Sequence, residues 1–230
     1  MQNLSSLEST LGFEFKNKDL LLQALTHRSF LNERPDFRLG HNERLEFLGD
    51  AVLELAVTEA LYDRFPDKPE GELTSFRAAL VNANMLSRIA SDLGLNDFLM
   101  LSRGEAKDVG RARQYILANA IEAVIGAMYR DQGYEAANGF IGRVVTPHLS
   151  EVLEKNLHRD PKSLFQEKAQ DIVGVTPTYE VLREWGPDHD KHFVVGIYLG
   201  AELVAEGEGP SKQAAQEEAA RNGLRVKGWE

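Results

Sequence analysis

A chain of 230 residues, 43% hydrophobic and 27% charged, can form one large domain or two modest ones, each with its own core. Lacking cysteine, it forms no disulfide, uses no thiolate and holds no zinc through sulfur; with no secretory pattern over Met1–Ser9 and no apolar run long enough to span a bilayer, a cytoplasmic protein without a membrane partner is expected. The net charge of -10, with neither half basic on its own, argues against a simple polyanion binder, because such proteins usually carry a surplus of Lys and Arg.

Taken in order, apolar residues three and four apart predict helices over Asp19–Thr26, Glu43–Tyr62, Glu72–Leu93 and Tyr115–Arg130, with strand patterns scarce before residue 150. Residues 151–159 read as a helix extension or a linker. Asp160-Pro161 then has the form of an N-cap followed by a first-turn proline, opening a helix to about Ile172. Three β-rich runs follow, Thr178–Glu184, His192–Leu199 and Glu202–Glu208, punctuated by Gly186-Pro187 and Gly200, and Ser211–Val226 reads as a closing helix. The pattern predicts an all-α domain over residues 1–150 and an α+β domain, ordered α-β-β-β-α, over residues 160–228.

Two of the predicted helices carry acids in unusual company. Glu43, Glu46, Asp50 and Glu54 are three or four residues apart and share one helix face. Such a stripe is ordinarily a solvated surface. Here Leu45, Leu48, Val52 and Leu55 flank it while Phe47, Ala51 and Leu53 lie on other sides, and a helix apolar on several sides is expected to be buried. The second helix, Tyr115–Tyr129, is apolar except for Asn119 and Glu122. A lone buried carboxylate is costly unless it is paired or bound to a metal, and an Arg or a hydrogen bond is the common solution. Packed side by side, however, the two helices would gather Glu46, Asp50, Asn119 and Glu122 into a set of oxygen donors. That chemistry suits Mg2+, and no His stands at ligand spacing to favour zinc.

The run Asn42-Glu43-Arg44-Leu45-Glu46-Phe47-Leu48-Gly49-Asp50-Ala51 resembles the signature of the ribonuclease III family. Leu25-Thr26-His27-Arg28-Ser29 upstream and Ile116–Ala127 downstream resemble two further motifs of that family, in the same order along the chain. The resemblance implies a helical, homodimeric endonuclease domain that hydrolyses double-stranded RNA with Mg2+ and without an organic cofactor. It implies metal ligands at Glu46, Asp50, Asn119 and Glu122, of which Asp50 and Glu122 are catalytic, and further acidic positions near the cleavage site at Glu43 and Glu70. Phe47 matches an aromatic that enters the partner subunit, although core packing explains a phenylalanine equally well. The products implied are 5′-phosphate and 3′-hydroxyl ends, from precursors of ribosomal RNA and structured messenger RNA.

The α-β-β-β-α portion resembles a double-stranded RNA-binding domain at Gln166-Glu167, at Gly186-Pro187-Asp188-His189 and over Gly207–Lys212. The resemblance implies that Gln166 and His189 reach successive minor grooves, and that Ser211 and Lys212 meet a phosphate at a helix N-terminus. Two departures stand out. Asn119 occupies a position where the family usually has Asp, which removes a charge from the expected metal site. Gln213 and Gln216 stand where the last helix usually carries further basic residues. The alternative reading is a double-stranded RNA-binding protein that Asn119 has disabled for cleavage.

Overall fold

The computed structural model describes residues 4–107, 110–187 and 191–229, divided into two compact units, Met1–His158 and Arg159–Glu230. The first unit holds nine α-helices among its described residues: α1 (Leu4–Leu11), α2 (Lys18–Ala24), α3 (Arg28–Glu33), α4 (Glu43–Arg64), α5 (Glu70–Val81), α6 (Ala83–Asp92), α7 (Arg111–Gln132), α8 (Tyr134–Val144) and α9 (Leu149–Glu154). Helix α7 is the axis of this unit and packs against α2, α4, α6 and α8. Its Ala120, Ile121, Ala123, Val124, Ile125, Ala127 and Met128 are fully buried.

The tightest contact is between α4 and α7. A Cβ added to Gly49 would lie 1.8 Å from the carbonyl oxygen of Glu122, and one added to Gly126 would lie 2.1 Å from that of Leu45. Both distances are far inside van der Waals contact, so only glycine fits at either place. Glycine inside a helix costs about 1 kcal/mol relative to alanine; here backbone-to-backbone contact accounts for its presence. Because the crossing lies between Leu45 and Gly49 on one helix and Glu122 and Gly126 on the other, the acids beside it are brought together.

The helix expected over Glu72–Leu93 is two helices. Asn82 breaks it, adopting extended backbone angles while its side chain accepts from the Met85 N–H and so caps α6. A polar residue able to satisfy free N–H groups locally competes with helix continuation, and periodicity alone does not register it. The sequence reading does not include α1, α3 and α8, while α9 overlaps the stretch read as a helix extension or linker; α1, with Leu4, Leu7 and Leu11 at helical spacing, and α8, with buried Ala137, Phe140 and Ile141, carry patterns that could have shown them. Nor is α4 buried on every side. Phe47 is 81% exposed, Tyr62 71% and Leu55 50%, and their spacing places them along one face of the helix. The expectation of all-round burial fails on that face.

The second unit is α10 (Pro161–Val173), β1 (Thr178–Trp185), β2 (His192–Leu199), β3 (Glu202–Gly209) and α11 (Lys212–Lys227). The strands form an antiparallel sheet in the order β1-β2-β3. Gly200, at φ 63°, makes the tight turn between β2 and β3. Phe165 and Ala169 of α10 pack with Ile197, Val204, Ala219, Ala220 and Leu224 in the core. Helix α11 lies directly on β3, since a Cβ on Gly207 would be 2.1 Å from the Ala219 nitrogen. Asp160 caps α10 by accepting from the Ser163 N–H, with Pro161 in the first turn, as the sequence suggests.

Gly49→Ala is expected to destabilise the first unit by about 3 kcal/mol, the upper end for overpacking, because backbone cannot change rotamer to relieve the clash. Urea unfolding followed by far-UV circular dichroism measures the cost. A loss below about 0.5 kcal/mol would mean that α4 and α7 are not in backbone contact.

Candidate active site

Helix α4 begins at Glu43 and presents Glu46 one turn on, then Asp50 a further turn on. From across the Gly49–Gly126 crossing, α7 contributes Asn119 and Glu122. The Asn119 amide hydrogen-bonds to the Glu46 carboxylate. Burial, and after it the charges of Glu43 and Asp50, push the Glu46 carboxyl above its usual range, with the Asn119 bond pulling the other way. Burial, followed by the charges of Asp50 and Glu46, pushes Glu122 up to about 7. The three acids Glu46, Asp50 and Glu122 thus sit in one another's fields, and among the described residues no Lys or Arg pairs with any of them.

An acidic cluster with no internal cation is unstable by itself, and its chemistry points to an external one. Three carboxylates and a carboxamide oxygen make a hard donor set of the kind that suits Mg2+. Among the described residues, no three acidic or histidine side chains converge closely enough to hold a metal ion. The donor set fits the ion in kind, and its side chains would have to turn inward to close around it.

Glu43 stands at the edge of the cluster. It lies 3.6 Å from Arg28 and 3.7 Å from His41, and its charge acts on Glu46. Glu70 opens α5 and is not among the groups whose charges act on Glu46 or Glu122. The Leu25–Ser29 motif has a clear structural task. Thr26 bridges to Met100, its carbonyl accepts from the Asn42 N–H at 2.9 Å, and the buried Asn42 side chain donates to the Ala24 carbonyl. These bonds fix the start of α4 and bring Arg28 to Glu43. Sequence reading missed Arg28 and Asn42 as supports and the two crossing glycines as determinants. The glycines had a visible signal, since each interrupts a long apolar helix where alanine would serve better unless space forbids it.

In the second unit Gln166 is exposed on α10. Ser211 caps α11 by accepting from the Ala214 N–H at 3.2 Å, and the adjacent Lys212 ammonium lies 5.7 Å over the Phe193 ring. His189 lies outside the described residues.

Glu122 connects stability to pH. Its folded pKa is raised, so the ionised form is disfavoured in the fold, and the first unit loses stability as pH rises from the ordinary glutamate range through about 7. Metal-free Glu122→Gln is therefore expected to be more stable than the parent at pH 8, by about 1–3 kcal/mol, and to gain little at pH 5, while losing cleavage at both. Thermal unfolding in EDTA at the two pH values, beside a duplex-RNA cleavage assay, checks this. Equal stability of both proteins at pH 8 would remove Glu122 from any strained acidic cluster.

The comparisons with known proteins bear on the family of the two units. Residues 17–149 match the family model described as Ribonuclease-III-like, and residues 161–227 match the model of the double-stranded RNA binding motif. The chain is 46% identical over 225 residues to Ribonuclease 3 of Carboxydothermus hydrogenoformans, covering 98% of this chain and 96% of that one. It is 44% identical over 227 residues to Ribonuclease 3 of Bdellovibrio bacteriovorus, covering 98% and 97%. The solved nuclease domain of ribonuclease III from Campylobacter jejuni, described for flexibility in the region involved in dimer formation, is 43% identical and covers 63% of this chain and 97% of its own, with a TM-score of 0.58. A helical nuclease unit followed by an α-β-β-β-α unit, related to these proteins over nearly its whole length, places the chain in the ribonuclease III family of double-stranded-RNA endoribonucleases.

Proposed function

We propose that the protein is a homodimeric, Mg2+-dependent endoribonuclease of the cytoplasm that cuts double-stranded RNA to leave 5′-phosphate and 3′-hydroxyl ends. Its natural substrates on this reading are precursors of ribosomal RNA and structured messenger RNA. The observation that carries the proposal is the group of unpaired acids Glu46, Asp50 and Glu122, held side by side at the α4–α7 crossing. Glu46, Asp50, Glu122 and the Asn119 oxygen would hold Mg2+. When bound, the ion offsets charge on the phosphodiester and acts as a Lewis acid toward it. Asp50, the most open of the four, is placed to orient a water and take its proton at a carboxylate oxygen. Glu122 serves in its ionised form, and its raised pKa means that protons compete with the cation near neutrality. Asn119 holds the Glu46 carboxylate in place through its amide. Glu43 tunes the field at Glu46, and Glu70 lies outside the cluster within one chain.

The bare face of α4 supports the dimer. Phe47, Leu55 and Tyr62 are large, exposed and aligned, an arrangement that marks an interaction surface. In a two-fold dimer each residue is used twice. Phe47→Ala is accordingly expected to weaken the dimer by about 3 kcal/mol, or roughly a hundredfold in Kd. Sedimentation of the parent and the variant over a concentration series measures it, and an unchanged Kd would move the interface elsewhere.

Cleavage of a uniform RNA duplex with and without Mg2+ tests the activity and separates it from the reading in which Asn119 leaves only binding. The same assay locates residue 119. Asn119→Asp adds a charge, and one unit charge at about 4 Å is worth roughly 4 kcal/mol at an effective dielectric of about 20 before desolvation. Burying another carboxylate among acids offsets much of that. The Mg2+ midpoint is expected to fall about tenfold at pH 8, with metal-free stability falling as the Glu46 hydrogen bond is lost. An unchanged midpoint would mean that residue 119 does not face the ion.

A further inference from the structure

Arg225 aside, which donates to Asn222 Oδ1 at 3.4 Å, the cations of the second unit fall into two groups. Arg183 lies 3.8 Å from Glu206, Lys191 3.5 Å from Glu184 and Lys227 2.9 Å from Glu202, and Arg221 is paired with Glu218. Their charge is largely spent on the protein's own carboxylates. Lys162 and Lys212, by contrast, have no carboxylate at ion-pair distance among the described residues. The same holds for Arg159, ahead of α10, and for Lys168, on another side of α10. What separates Lys162 from those two is its placement.

Lys162 stands in the first turn of α10 and its ammonium donates to Gln216 Oε1 at 2.6 Å. The same ammonium lies 5.1 Å over the ring of Tyr179. The side chain is thus held against both a neighbouring helix and the sheet, with donors of the ammonium left over. Gln216 is one turn beyond Lys212 on the same face of α11, and Gln166 is one turn beyond Lys162 on the same face of α10. Lys162 is therefore one helical turn from Gln166 and bonds to a residue one turn from Lys212, two of the four residues through which this unit is read as meeting RNA. A cation already fixed in place loses little side-chain entropy when it takes a ligand, and an unpaired one need not break an ion pair first.

We propose that Lys162 is a phosphate-binding residue for double-stranded RNA, reaching from α10 to place a positive charge over the second turn of α11, where the chain has the neutral Gln216. The inference rests on reading the second unit as the RNA-binding module. It assigns the phosphate contact to a residue that the helix sequence of α11 does not contain.

The test is the salt dependence of duplex binding by the full chain in EDTA, where no cleavage competes. Each phosphate contact adds about 0.9 to the magnitude of the slope of log K against log salt on B-DNA, and a comparable amount is expected on an RNA duplex. Lys162→Met keeps the aliphatic cover over Tyr179 and removes the charge; its slope should be shallower by about one, with weaker binding to duplexes of any sequence. Lys162→Gln, which can still bond Gln216, should lose the same amount. The double variant Lys162→Met/Gln216→Lys returns the charge from α11 and should recover the parental slope. A parental slope in both single variants would overturn the inference, as would a double variant no steeper than the single ones. A parent chain whose duplex binding is absent or independent of salt would overturn the RNA-binding reading itself, a separate result from a salt-dependent parent with indifferent Lys162 variants.

Discussion

Everything in the nuclease unit depends on how closely α4 approaches α7. Ordinary helix pairs are held 8–10 Å apart by side chains; here Gly49 and Gly126 leave nothing between the backbones, and a single methyl group on Gly49 would overlap the Glu122 carbonyl. The approach has a geometric result that no side chain on its own could achieve. Acids on two different helices fall within one another's electrostatic reach because almost no gap separates the two backbones. A small displacement of the helices would separate Glu46 from Asn119 and Asp50 from Glu122 together. The site's precision thus resides in the backbone contact, and the fully buried Ala120, Ala123, Val124 and Ala127 beside it keep that contact from sliding.

The cost of that arrangement appears in the protonation of the acids. Burial and like charge raise both Glu46 and Glu122, so the fold is under electrostatic tension wherever the cluster is fully ionised. A divalent cation would relieve this tension more completely than a proton, since it answers several carboxylates together. Asn119 fits the same account. As a neutral donor to Glu46 it steadies one ionised acid without adding a fourth to the cluster. The position is a compromise between a cluster that attracts a cation strongly and one that the folded chain can tolerate in its absence. Glu43 lies on the outer side of this balance, acting on Glu46 while Arg28 and His41 partly answer its charge.

Much of this was legible in the sequence, for reasons that can be named. Helical periodicity finds α4 and α7 because both are long and carry many apolar residues. Acids at helical spacing inside apolar helices mark the cluster because burying charge is costly. The strand runs of the second unit and the Asp160-Pro161 start of α10 are local signals, and local structure answers to them. What stayed hidden depended on partners. The break at Asn82 depends on a side chain preferring a cap to another helical turn. The exposure of Phe47 and Tyr62 could not be told from burial, because a residue suited to a core and a residue suited to a second subunit are chemically alike. Arg28 looked like one basic residue among many until the bridge from Thr26 to Met100 and the bond from Asn42 to Thr26 set it beside Glu43.

The net charge of -10 was the least informative observation about RNA, and the reason is a matter of length scales. At physiological ionic strength the screening length is about 8 Å, so acids on distant surfaces hardly reach a bound phosphate. What a phosphate experiences is the set of charges within that distance and whether they are already committed. In the second unit Glu184, Glu202, Glu206 and Glu218 lie against cations of their own, and pairing cancels the field of each. Lys162 and Lys212 have no such partner among the described residues, and through Gln216 they share one face of α11. An acidic chain can in this way present a locally basic strip, and its formal charge sums over side chains that the ligand never meets. The composition argument fails here because it adds charges lying farther from the ligand than screening lets them act.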